Sequence, residues 1–64
     1  MHSRSPQQPL AVSPAHAALM IGVGRTLIYE MLAAGEFKSF TVGRRRLIRV
    51  EVLLAWMTQR ERDQ

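Results

Sequence analysis

Two glycine-marked turns divide this chain and constrain its fold more than any other feature. The first, Gly22-Val23-Gly24, lies between two runs whose apolar residues recur at helical spacing, and it opens the run Arg25-Thr26-Leu27-Ile28-Tyr29-Glu30-Met31-Leu32. The second, Val42-Gly43-Arg44-Arg45-Arg46, lies between two short alternating runs and reads as a hairpin tip carrying three guanidiniums. A short helix and a basic hairpin, held close together in a small domain, are two probes that fit the two grooves of duplex DNA.

Size narrows the alternatives. At 64 residues there is room for one domain with a thin core, and none for a deep substrate cavity with supporting layers. Apolar residues make up 47% of the chain, so it is not a disordered polyelectrolyte. The absence of cysteine excludes disulfide staples and thiolate-ligated zinc, and suits a reducing cytosol. A formal charge of +4 points to nucleic acid, anionic lipid or an acidic protein as partner. Lipid binding calls for cations along one face of an amphipathic helix. Here the arginines cluster beside a glycine in a turn, and no apolar run approaches a membrane span. No membrane role is therefore expected.

Along the chain, residues 1–9 are rich in serine, proline and glutamine and read as a disordered tail. His2 and Arg4 fall in it, with Arg4 limited to a weak, non-specific phosphate contact. Ser13-Pro14 marks a helix start, with Ser13 as N-cap and Pro14 at the first helical position, where its missing donor costs nothing. Val12 is placed to staple onto Ala17. His16 stands where a capping-box glutamate would be and reads as a solvated surface histidine. Ala17, Ala18 and Ile21 form the packing stripe, and Gly22 is the left-handed terminator. The second helix is predicted from Gly24 and Arg25 to about Ala34, with Leu27, Ile28, Met31 and Leu32 pointing inward and Gly35 ending it. Glu36 to Val42 and Leu47 to Val50 read as two antiparallel strands, with Phe37 and Phe40 as core residues. A last helix is expected over about Glu51–Arg60, burying Val52, Leu53, Trp56 and Met57, with residues 61–64 fraying. The domain proper thus spans 10–60, and the predicted fold class is α+β, mostly helical: three helices and a two-stranded wing.

The apolar spacing around Gly22, with small Ala18 where two helices must cross, is that of a helix-turn-helix. Taken alone it equally describes a helical hairpin with no ligand, and the basic hairpin downstream favours the DNA reading. The ordered phrases Gly22-Val23-Gly24-Arg25, Ile28-Tyr29, Gly35-Glu36-Phe37, Val42-Gly43-Arg44-Arg45, Ile48 and Leu54-Ala55-Trp56 resemble the excisionase-type winged helix, a small relative of the MerR-like DNA-binding domains. The resemblance runs from about Leu10 to Met57. It implies a second helix in the major groove and a wing in the adjacent minor groove. It also implies cooperative binding to neighbouring sites, DNA bending, and the steering of a phage or element integrase towards excision. Other members of that family are simple transcriptional regulators. The sequence departs from the family at Gly24, where a serine cap is usual, at Leu27, where a threonine is frequent, and at Lys38, where a proline is common.

Nine residues are candidates for the DNA interface. Arg25, in the first turn of the second helix, suits guanine O6 and N7 or a phosphate. Thr26 suits a phosphate at the helix N-terminus, or acts as a cap. Tyr29 can reach phosphate through its hydroxyl or pack on the wing. Glu30 can accept from cytosine N4 or aim a neighbouring arginine through a salt bridge. Arg44, Arg45 and Arg46 form the wing tip, with Arg44 and Arg46 on one face and Arg45 on the other. Arginine suits a narrow minor groove, where the negative potential is deepest. Lys38 and Arg49 add backbone contacts. Trp56 reads as the core anchor of the last helix rather than a platform for bases.

An enzyme is the weakest class, because two histidines and five scattered acids form no catalytic or metal-binding constellation, and no cofactor is expected. Sheet aromatics for stacking single-stranded RNA are missing. A protein-interaction adaptor docking through the last helix is the alternative from another class. The small size favours an architectural role, with the chain monomeric in solution and assembling head to tail on DNA. The expected compartment is the cytoplasm of a bacterial host.

Overall fold

The computed structural model describes residues 9–64, so the tail expected over residues 1–9, with His2 and Arg4, lies outside the described residues except for the exposed Pro9. The elements are β1 (Ala11–Val12), α1 (Pro14–Ile21), α2 (Arg25–Ala33), β2 (Phe40–Val42), β3 (Arg45–Arg49) and α3 (Val50–Arg62). The expected α+β winged architecture is present, with three helices and a hairpin. The sheet has one strand more than expected, in the antiparallel order β1-β3-β2.

Helix ends follow local chemistry. Ser13 is extended at the N-cap of α1, and its hydroxyl accepts the backbone N–H of His16 at 3.1 Å, while Pro14 opens the helix. Gly22 stops α1 at φ 80°, a conformation in which a Cβ would crowd the following carbonyl. The Val23 N–H then reaches back to the Ala18 carbonyl at 2.9 Å. α2 ends in a Schellman motif, with Glu36 N–H donating to Met31 C=O at 3.0 Å and Gly35 N–H to Leu32 C=O at 3.1 Å. At its start, Gly24 supplies no side-chain cap.

β3 is the central strand. Arg49 and Ile48 pair with Ala11 and Val12, while Leu47, Arg46 and Arg45 pair with Phe40, Thr41 and Val42. Beyond the ladder, the Val50 N–H donates to the Leu10 carbonyl at 2.9 Å. β1 was not legible because two residues carry no periodicity. It exists because β3 offers an unpaired edge, and backbone groups there need partners.

The core unites Val12, Ala17, Ala18, Ile28, Met31, Phe37, Ile48 and Leu53. The small Ala17 and Ala18 let α1 pack closely against α2. Several expected core positions lie outside. Leu27 is 45% exposed, since α2 packs through one narrow stripe and Leu27 falls about 100° round the helix from Ile28. Phe40 is 43% exposed because its cross-strand partner is Leu47, whose side of the sheet is opposite to that of Ile48. Met57 is also exposed, while Leu53 is fully buried and Trp56, half-buried, packs against the core beside it. α3 begins at Val50 and includes Glu61 and Arg62.

Leu53 and its neighbour Leu54 are 1% and 58% exposed, which separates burial from helix propensity. Leu53→Ala is expected to lower stability by about 2–5 kcal/mol, and Leu54→Ala to stay within about 0.5 kcal/mol of wild type. Urea or thermal unfolding of the two variants checks this.

Candidate nucleic-acid interface

α2 turns its buried stripe, Ile28 and Met31, towards the core and leaves Arg25, Thr26, Tyr29 and Glu30 in solvent. Arg25 and Thr26 occupy the first turn, where backbone N–H groups have no helical partner and favour anions. Tyr29 is 50% exposed. Neither Glu30 nor Arg25 takes part in a side-chain ion pair among the described residues, in contrast to the salt bridge considered for Glu30.

The wing is the β2–β3 hairpin. Its connection is the two-residue turn Gly43-Arg44, because Val42 pairs directly with Arg45. Gly43 takes φ 60°, the positive value that two-residue hairpin turns demand at their first position. The three guanidiniums are therefore not all at the tip. Arg44 alone belongs to the turn, whereas Arg45 and Arg46 are the first residues of β3. Strand alternation sends Arg45 and Arg46 to opposite faces, and Arg46 shares the face of Ile48. All three arginines are exposed.

The other predicted cations are differently placed. Lys38 is exposed in the segment leading into β2. Arg49, at the far end of β3 from the tip, forms an ion pair with Glu51 in the first turn of α3. That pairing reduces the net charge Arg49 presents, and such exposed pairs contribute little to stability.

Contacts that the sequence did not reveal tie the wing's root to α3. Trp56 packs edge-on against Phe37, with ring centroids 5.7 Å apart and planes at 89°. Its indole N–H donates to Glu36 Oε1 at 3.2 Å, and the Arg60 guanidinium lies 5.8 Å from the ring centroid. Ser39, also missed, accepts from Arg46 Nη1 at 3.2 Å. Such contacts across 20 and 7 residues leave no local signal in the chain. Among the described residues, no group of three or more His, Asp or Glu side chains is placed to hold a metal ion. No helix among the described residues is long and apolar enough to cross a membrane.

The model of the helix-turn-helix domain family matches residues 11–61, from the start of β1 to the penultimate residue of α3. No curated protein and no solved structure matches the chain significantly.

An added Cβ at Gly43 meets nothing within 4 Å, so a substitution there acts through backbone strain alone. Gly43→Ala is expected to lower stability by about 1–2 kcal/mol. It should also shift the amide resonances of Val42 to Arg45 while leaving those of α1 in place. Denaturant titration and a two-dimensional NMR spectrum of the variant test both parts.

Proposed function

The chain belongs to the helix-turn-helix domain family and is a sequence-specific binder of double-stranded DNA; from that premise we propose that it is an excisionase. In this reading α2 enters the major groove with Arg25, Thr26, Tyr29 and Glu30 towards base edges and phosphates. The wing reaches the adjacent minor groove through Arg44 and Arg45, while Arg46, Lys38 and Arg49 meet the backbone. The observation that carries the reading is that one small domain exposes both the polar residues of α2 and a hairpin with three consecutive arginines. The ordered phrases from Gly22 to Trp56, which resemble excisionases, support the finer role.

One short domain reads few base pairs, so useful specificity calls for several copies side by side. We place these copies head to tail on adjacent sites, monomeric in solution and cooperative on DNA. Arginines in successive minor grooves then favour narrowed, bent DNA, and the bent complex directs an integrase towards excision.

Electrostatics gives the first test. With about four to six phosphates contacted, log K should fall with log salt at a slope of roughly −4 to −5, measured by fluorescence anisotropy. A flat response would favour a protein-interaction adaptor. Arg25→Ala should lose about 1–3 kcal/mol on the best site and relax discrimination at one or two positions. Equal losses on specific and random duplexes would assign Arg25 to positioning. Gel-shift titration and footprinting on DNA flanking the gene, with and without a neighbouring integrase, test the excisionase role. Stepwise cooperative complexes whose mobility depends on site position are expected. A single unbent complex would point to a one-site transcriptional regulator.

A further inference from the structure

The three wing arginines are not equivalent. Arg44 sits in the turn and Arg45 on one face of β3, neither with a side-chain partner among the described residues. Arg46 lies on the other face, the one that carries the buried Ile48 and packs towards α1 and α3. Its cross-strand partner is Thr41, and Ser39 lies two residues before Thr41, further from the turn. The Arg46 Nη1–H donates to Ser39 Oγ at 3.2 Å, so the guanidinium is drawn back along the wing and away from its tip. Ser39 is half-buried and immediately precedes the first residue of β2.

We infer that Ser39 is a positioning residue, which holds the Arg46 guanidinium at the helix-facing root of the wing, where it clamps a DNA phosphate. The inference rests on the DNA-binding reading above. One guanidinium N–H is taken by Ser39, and the remaining donors of the planar fork stay free for a phosphate oxygen pair. A long arginine otherwise loses rotamer freedom on binding; the tether removes part of that loss beforehand. Arg44 and Arg45 carry no such hydrogen-bonded tether among the described residues. The arginine run is thereby divided into a mobile pair that enters a groove and a fixed member that sets where the wing stops.

A double-mutant cycle on mixed-sequence duplex DNA tests the division. Ser39→Ala is expected to weaken binding about three- to tenfold with the salt slope unchanged, because no charge is removed. Arg46→Ala should lower the slope by about 0.9. In the Arg46→Ala background, Ser39→Ala should change nothing further, and Ser39→Thr, which keeps the hydroxyl that alanine removes, should restore binding to the wild-type level. Equal effects of Ser39→Ala with and without Arg46, or failure of Ser39→Thr to restore binding, would overturn the inference while leaving DNA binding intact. In the free protein, ¹⁵N relaxation of the arginine Nε–H groups should show Arg46 more ordered than Arg44 and Arg45, and the difference should vanish in Ser39→Ala. An Arg46 as mobile as its neighbours would sink the tether whatever the DNA result; a wild-type chain that binds no DNA would overturn the function itself.

Discussion

Burial of Ile48 on the central strand holds the two halves of this molecule together. Ile48 has no exposed surface, pairs through its backbone with Val12 ahead of α1, and shares a strand with the wing residues Arg45 and Arg46. β3 thus links the helical core to the wing without a flexible joint. The hairpin alone would be marginal in water, since a two-stranded ribbon rarely holds by itself. By pairing β3 on both edges and packing one face against α1 and α3, the chain makes the wing a projection of the core.

This arrangement explains how so small a domain mounts α2 and the wing on one frame. α2 is tied to the core by Ile28 and Met31, and its exit runs through the Schellman turn at Gly35 into Phe37, itself buried. Phe37 then meets Trp56 of α3 edge-on. The segment between α2 and the wing is therefore fastened at Phe37 and again at Glu36, through the indole N–H of Trp56. A rigid frame of this kind suits sequence-specific binding by a helix-turn-helix domain.

What was legible in the sequence is what local chemistry decides. The Ser13-Pro14 start, the Gly22 stop and the hairpin at Gly43 each depend on a backbone conformation that a few residue types favour, and all three stand in the structure. The exposure of Arg25, Thr26, Tyr29 and Glu30 on α2 followed from helical period in the same way. What escaped depends on the tertiary partner. β1 needs the edge of β3; Leu27 and Phe40 are apolar in sequence, but the thin core has no surface left to cover them. The arginine run looked like one tip because composition does not reveal register, and a two-residue turn moves Arg45 and Arg46 into the strand. Ser39, Glu36 and Arg60 matter only through side chains that are distant in the chain.

The sheet's outer strand has a consequence for solubility. β2 lies at the edge of the order β1-β3-β2, so its far side presents backbone N–H and C=O groups to any passing chain, alongside exposed Phe40 and Val42. Such an edge invites intermolecular strand pairing and the growth of insoluble sheets. Here the edge is three residues long, with Lys38 before it and Arg44 after it. Another copy approaching in register would bring like charges together at both ends of a ladder too short to compensate. The cations that suit a polyanion thus also keep copies of the molecule from zipping to one another when no polyanion is near.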